Sequence, residues 1–143
     1  MKKIILLIVL FSFSNSYSQT NEQQDKDEIL GILDSQAAAW SNYNIEEFME
    51  GYWKNDSLKF YGANGITYGW KNTLDNYKKR YPTRDHTGIL TFKINDISKI
   101  DEDAYYVMAS YYLKRVIGDA NGIFMIIFKK INGKWKIIAD TSC

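Results

Sequence analysis

The chain has 143 residues, a formal net charge of +1, 45% hydrophobic residues, one proline and one cysteine. Its basic and acidic residues are interspersed, which excludes the one-sided charge footprint of a nucleic-acid binder. A lone Cys143 excludes an internal disulfide, and no metal-ligand spacing, glycine-rich phosphate loop or nucleophile elbow occurs, so neither metal nor cofactor is expected.

Residues 1–18 read as a signal peptide. Lys2 and Lys3 form a positive start, Ile4 to Phe13 an apolar core, and Ser16-Tyr17-Ser18 a small-x-small cleavage site before Gln19. The apolar run is too short for a bilayer, which takes about 20 residues, so no stable membrane anchor is expected. Removal of this leader takes the formal charge from +1 to −1. Residues 19–143 are then one exported domain, periplasmic or secreted, long enough to bury a core.

From Thr20 to Trp40 the pattern is helical, with Thr20/Gln23 or Asp25/Glu28 as possible capping boxes. Ile29, Leu33, Ala37 and Trp40 form its apolar stripe. Ser41-Asn42-Tyr43 breaks the run, and Asn44 with Glu47 caps a short second helix whose apolar face is Phe48, Met49, Tyr52 and Trp53. Asp56 to Tyr68 reads as two short strands about Gly62-Ala63-Asn64-Gly65. A third helix spans Trp70 to Arg80, stopped by Tyr81-Pro82, and Thr83 to Thr87 is a polar loop.

The long strands follow. Leu90, Phe92 and Ile94 alternate and then slip to Ile97, which predicts a bulge near Asn95-Asp96. After the Asp101-Glu102-Asp103 turn, strand 104–116 shows Val107, Ala109, Tyr111, Leu113 and Arg115 on one face, with Tyr106, Met108, Ser110 and Tyr112 on the other. Asn132-Gly133 sets a two-residue type I′ hairpin pairing Lys130 with Trp135, Phe128 with Ile137 and Ile126 with Ala139. Phe124, Ile126, Phe128, Trp135, Ile137 and Ala139 then face the core, and strict alternation turns Asp140 away from it. Helices followed by antiparallel strands give an α+β fold, helices packed on one face of a curved sheet. A small lipocalin-type barrel fits three leading helices poorly.

The residues Trp40, Phe48 to Trp53, Asp56, Leu58, Gly65-Ile66-Thr67, Gly69-Trp70, Leu74, Tyr77, Tyr81-Pro82 and Gly88 to Phe92 carry a resemblance, joined by Tyr111-x-Leu113-x-Arg115, Gly122, Phe124, Lys129-Lys130, Gly133-Lys134-Trp135 and Asp140. Together they resemble the cone-shaped superfamily of nuclear transport factor 2 and ketosteroid isomerase. Within it they are similar to an exported bacterial group of ketosteroid-isomerase-like, or SnoaL-like, domains. The resemblance implies three N-terminal helices on a strongly curved antiparallel sheet, a pocket at the open end of the cone, and pairing by the sheet. The chain departs from the group in Tyr43-Asn44, where Gly-Asp is usual, and in Thr141 after Asp140, where many relatives place a His. The isomerase's base position falls near Tyr61 and its oxyanion Tyr near Ser35 or Gln36, so the isomerase chemistry does not transfer.

Trp40, Trp53, Tyr61, Trp70, Tyr77, Tyr111 and Arg115 are the candidate ligand-binding residues, with Tyr81 beside them. Aromatic rings suit a small, partly apolar ligand, and an inward Arg115 would bind an acidic one; the alternative for the rings is core packing, and for Arg115 a simple ion pair. His86 would be the default base at neutral pH but sits in the polar loop. Three functions stand: an exported module binding a small apolar or acidic ligand; an isomerase, dehydratase or hydrolase using the same pocket; or an interaction dimer with a filled cavity. A buried carboxylate with a raised pKa beside tyrosines would mark the enzyme. A homodimer is expected through an outward patch of Met108, Met125, Ile127 and Ile138. Amino-terminal sequencing of exported protein checks the leader: a chain beginning near Gln19 is expected, and a retained Met1 would refute it.

Overall fold

The computed structural model describes the backbone of residues 2–143 and the side chains of residues 21–143. The side chains of the expected leader, and with them its cleavage site, lie outside that range. Among the described residues no helix is long and apolar enough to cross a membrane. The chain forms helix α1 (Lys2–Ser41), short helix α2 (Ile45–Met49), strands β1 (Lys59–Gly62) and β2 (Gly65–Tyr68), and helix α3 (Trp70–Arg80). A single helical turn α4 (Arg84–Thr87) and strands β3 (Ile89–Asp101), β4 (Ala104–Lys114), β5 (Ala120–Ile131) and β6 (Lys134–Ser142) complete it.

Helix α1 continues upstream through Thr20 and Asp25, so neither residue is a cap. Asp25 instead accepts hydrogen bonds from Lys130 Nζ at 2.7 Å and Trp135 Nε1 at 3.2 Å, clamping α1 to the C-terminal hairpin. The buried stripe runs Ile29, Leu33, Gln36, Trp40, with Ala37 only partly buried. Gln36 is tolerated there because its amide donates to the Phe48 carbonyl at 2.9 Å. Tyr43 takes a left-handed conformation (φ 59°) to turn the chain where glycine would do so freely. Asn44 then caps α2 by accepting from the Glu47 amide. Residues 83–87, read from sequence as a loop, close into α4 instead, its amides bonding back to Thr83 and Arg84.

The sheet has the order β2-β1-β6-β5-β4-β3. All neighbours are antiparallel except β1, which runs parallel to β6. The slip in β3 falls between Ile94 and Asp96, at the expected bulge. Asn132 and Gly133 both have positive φ (50° and 76°), as a type I′ turn requires. The hairpin register holds from Ile131↔Lys134 to Phe128↔Ile137 and then breaks: Ile127 pairs with Ala139 and Ile126 with Asp140. Ile138 is the extra residue of a β-bulge. The expected Ile126–Ala139 pair is therefore wrong by one, and every β6 side chain beyond Ile138 changes face.

The bulge lies where β6 changes its other neighbour. Ile137 donates to the Gly51 carbonyl and accepts from the Trp53 amide, both at 2.9 Å, whereas Ala139 to Thr141 pair with β1. On the outward face Met108 sits opposite Met125 and Tyr106 opposite Ile127. Met108, Tyr112, Ile123 and Met125 are all exposed. Ile138 is half-buried at the bulge, and Ala139 takes the place beside Ile127.

Trp135 is 2% exposed, meets Tyr105 edge-on at 5.3 Å and carries Lys130 over its ring at 4.9 Å. Trp135→Ala should cost about 3–5 kcal/mol, the usual cost of emptying a buried aromatic site, out of roughly 5–15 kcal/mol for a domain. Urea unfolding checks it; a midpoint equal to the wild type's would show that Trp135 does not hold the clamp.

Candidate functional site

The helices and the concave face of the sheet enclose a cavity of about 140 Å³. Its wall is mostly aromatic. Trp40 meets Phe48, Tyr77 and Tyr81 edge-on, with ring centres 4.7–5.6 Å apart, and its Nε1 donates to the Thr87 carbonyl at 3.0 Å. Phe60 from β1 packs on Tyr77, and Phe92 on Phe124 across the sheet. These contacts orient the rings, so the wall is preformed and serves as core at the same time.

Asp140 stands on this wall, only 6% exposed. The Ile138 bulge puts it there. Its Oδ2 accepts from the Tyr52 hydroxyl and its Oδ1 from the Ser142 hydroxyl, each at 2.6 Å. Tyr52 is positioned by α2 and by the bridge of its backbone to Ile137, and Tyr77 lies close enough to influence Tyr52 and to feel the charge of Asp140. Burial pushes the Asp140 carboxyl up to about 6, against the opposing pull of the Ser142 and Tyr52 hydrogen bonds. Burial likewise holds the Tyr52 and Tyr77 phenols well above their ordinary range, so both remain proton donors at neutral pH.

Of the residues singled out from sequence, Trp40, Tyr77, Tyr81 and Tyr111 line the cavity. Trp53, Tyr61, Trp70 and Arg115 do not. Tyr61 points outward and is 57% exposed, because alternation along β1 gives the inward places to Phe60 and Gly62. Trp70 donates its Nε1 to the Met49 carbonyl at 2.8 Å and carries Lys54 over its ring, in a shallow outer groove. Trp53, which precedes Lys54 in the sequence, is half-buried and outside the cavity wall. Arg115 lies past the end of β4 and folds back on its own loop, Nε donating to the Gly118 carbonyl at 2.7 Å. His86, in α4, bonds Thr83 Oγ1 through Nδ1 at 2.7 Å and is also outside the wall. Cys143 is exposed at the cavity's edge.

Sequence reasoning missed Asp140, Tyr52 and Ser142 as cavity groups. One signal pointed to them. Ile137 and Ile138 are consecutive apolar residues, and the phase of a strand with polar Lys134 and Lys136 outward has no place for an outward Ile138. Among the described residues no cluster of three His, Cys, Asp or Glu could hold a metal ion.

The fold and cavity define a cone-shaped α+β domain with a carboxyl inside an aromatic chamber. Neither a protein-family profile nor a curated protein matches the chain. A solved structure does: a nuclear transport factor 2-like protein of unknown function from Shewanella oneidensis, 33% identical. It superposes with a TM-score of 0.79 over 82% of this chain and 98% of its own. The chain belongs to the nuclear transport factor 2-like family. A hexachlorocyclohexane dehydrochlorinase shares the fold at 13% identity and TM-score 0.71, over 87% and 88% of the two chains. So does a ketosteroid isomerase-like protein from Erwinia carotovora atroseptica, at 12% identity and TM-score 0.65, over 81% and 92%.

The raised Asp140 carboxyl has a cost. The folded state holds this proton up to about pH 6, whereas the unfolded chain releases it near 3.8. Stability is thus fullest below pH 3.8 and is lost as pH rises through about 6. Ionising the buried group costs the fold about 3 kcal/mol above that window. Asp140→Asn is expected to raise stability by about 1–3 kcal/mol at pH 8 and by almost nothing at pH 4. Chemical denaturation at the two values checks this; an equal change at both would refute it.

Proposed function

We propose that the chain admits a small, largely apolar ligand to the cone and that Asp140 accepts a proton from it. The chain is then a proton-transfer enzyme of the isomerase or elimination type. The observation that carries this reading is a carboxyl held inside an aromatic chamber, with its proton affinity raised toward neutral pH and tyrosine hydroxyls beside it. A base works best when its pKa lies near the operating pH. A purely structural aspartate would gain nothing from such burial. The family supports the reading only in outline, since the fold is shared with a dehydrochlorinase and an isomerase-like protein. His86 takes no part in it.

In this scheme Asp140 is the catalytic base, Tyr52 and Ser142 are positioning residues, and Tyr77 is the donor best placed for the ligand's polar end. Solvent-hydrogen exchange tests the scheme without knowledge of the substrate. Small ketones, amines and halides are incubated in D₂O with the protein and scored for deuterium uptake at carbon. Protein-dependent uptake should rise with pH through about 6 and fall at least tenfold in Asp140→Asn, the usual scale for a positioned base. Uptake unchanged in Asp140→Asn would sink the assignment.

The outward face of the sheet belongs to the same reading. Met108, Tyr112, Ile123 and Met125 form an exposed apolar group, continued by the half-buried Tyr106 and Ile127, and a second copy of the chain is its proposed occupant. One self-complementary patch on one chain closes most simply as a two-fold dimer. Sedimentation equilibrium at micromolar concentration should show a dimer, and Met125→Lys a monomer. A monomeric wild type would end this proposal.

A further inference from the structure

The proposed ligand site has an internal charge that no buried cation among the described residues balances. Asp140 accepts hydrogen bonds from two neutral hydroxyls, and no cation stands among the groups that govern its titration. Each ion pair among the described residues involves other acids. A buried carboxylate without a partner is expensive, and proteins usually pair such a charge or neutralise it. The cation that a sequence reading would bring inside, Arg115, is tied to Gly118 outside the wall. Arg80 is at the rim and exposed, over the ring of Tyr81.

The walls have the matching polarity. Aromatic faces carry negative charge density and attract cations. Among the described residues that attraction is already in use, with Lys54 over Trp70 at 4.5 Å, Lys130 over Trp135 at 4.9 Å and Arg80 over Tyr81 at 5.9 Å. Inside the cavity such rings are present in number, and among the described residues only Arg80, at the rim over Tyr81, brings a side-chain cation to one of them.

We infer that the cone selects a compact organic cation, with its positive nitrogen against Asp140 and its apolar body within Trp40, Tyr77 and Tyr111. This rests on the reading of the cone as a ligand site, and it replaces the apolar or acidic ligand suggested by sequence. A carboxylic acid would meet a like charge at Asp140. A neutral carbonyl compound would become an anion on losing its proton, so the site would still hold one unbalanced negative charge. With a cation the balance is simpler. The C–H or N–H bond breaks, its electron pair stays on the ligand and cancels the positive charge, and the proton forms an O–H bond on Asp140. Both charges vanish together, which a dry site favours.

The test uses benzyltrimethylammonium, whose charge is independent of pH, against neopentylbenzene, its neutral carbon isostere, and benzoate. Binding to the full domain is followed by Trp fluorescence and calorimetry between pH 5 and 7.5. The other charged or titratable groups facing the cavity are Tyr52, Tyr77, Tyr81, Tyr111, Arg80 and Cys143. The cation should bind at least about tenfold tighter than its isostere at pH 7.5, a difference of about 1.4 kcal/mol, and lose that advantage toward pH 5. Asp140→Asn should bind both alike; the wild-type pH series decides the matter if that variant fails to fold. A neutral isostere that binds as tightly as the cation at pH 7.5 would overturn the inference and leave the cone as a ligand site. Benzoate binding tighter than either would overturn it too. If no probe binds, the ligand-site reading falls with it.

Discussion

The pairing of β5 with β6 is the constraint from which the rest follows. Asn132-Gly133 sets it, both residues at positive φ so that the turn's twist matches the strands. From that turn the register delivers Trp135 to Asp25 on α1, which seats the long helix across the sheet. It also delivers Ile137 to the Gly51–Trp53 segment, which seats α2 and the Tyr52 ring. Helix α3 then packs on what these two placements create, with Tyr77 against Trp40 and Phe48. The cavity is the space left between elements whose positions are already decided.

That space is stiff because its wall is made from core. Trp40, Phe48 and Tyr52 are each nearly inaccessible to solvent, yet each contributes surface to the cavity. Rings locked edge to edge lose little further entropy when a guest arrives, so the site is preorganised by the same contacts that stabilise the fold. The exception is Asp140. Its burial opposes folding once ionised, and the hydroxyls of Tyr52 and Ser142 offset only part of that. A local loss of stability concentrated on one polar side chain, in an otherwise apolar chamber, is the pattern expected of a group retained for its chemistry.

Much of the fold was legible in the sequence. The bounds of α3 follow from Trp70, Leu74 and Tyr77 at helical spacing and from Pro82, and the β3 bulge follows from the phase slip between Ile94 and Ile97. Of the aromatic cavity residues, Trp40, Tyr77, Tyr81 and Tyr111 followed from the same periodicities. Those that failed did so for local reasons. Tyr61 was placed inside although alternation from Phe60 turns it out, and Arg115 was extrapolated along β4 one residue beyond where the strand ends. Asp140 was hidden by a longer-range cause. Alternation assumes one residue per rung, whereas the bulge lies where β6 changes partner from the segment after α2 to a parallel β1, a tertiary event whose one local trace is the consecutive Ile137-Ile138.

Such a bulge makes the last strand behave like a reading frame. Residues before Ile138 are read in one phase and residues after it in the other, so strict alternation counted from the turn holds upstream of the bulge and is reversed downstream of it. In this chain the downstream message is short: Ala139 is sent outward, and Asp140 and Ser142 inward. Removing Ile138 itself would leave Ala139 opposite Ile127 and Asp140 opposite Ile126, so the hairpin, the clamp and the inward carboxyl would all survive. A chain of unchanged length that paired Ile138 with Ile127 would instead turn Ala139 inward, so for this sequence the bulge decides whether the chamber holds a carboxyl or a methyl group.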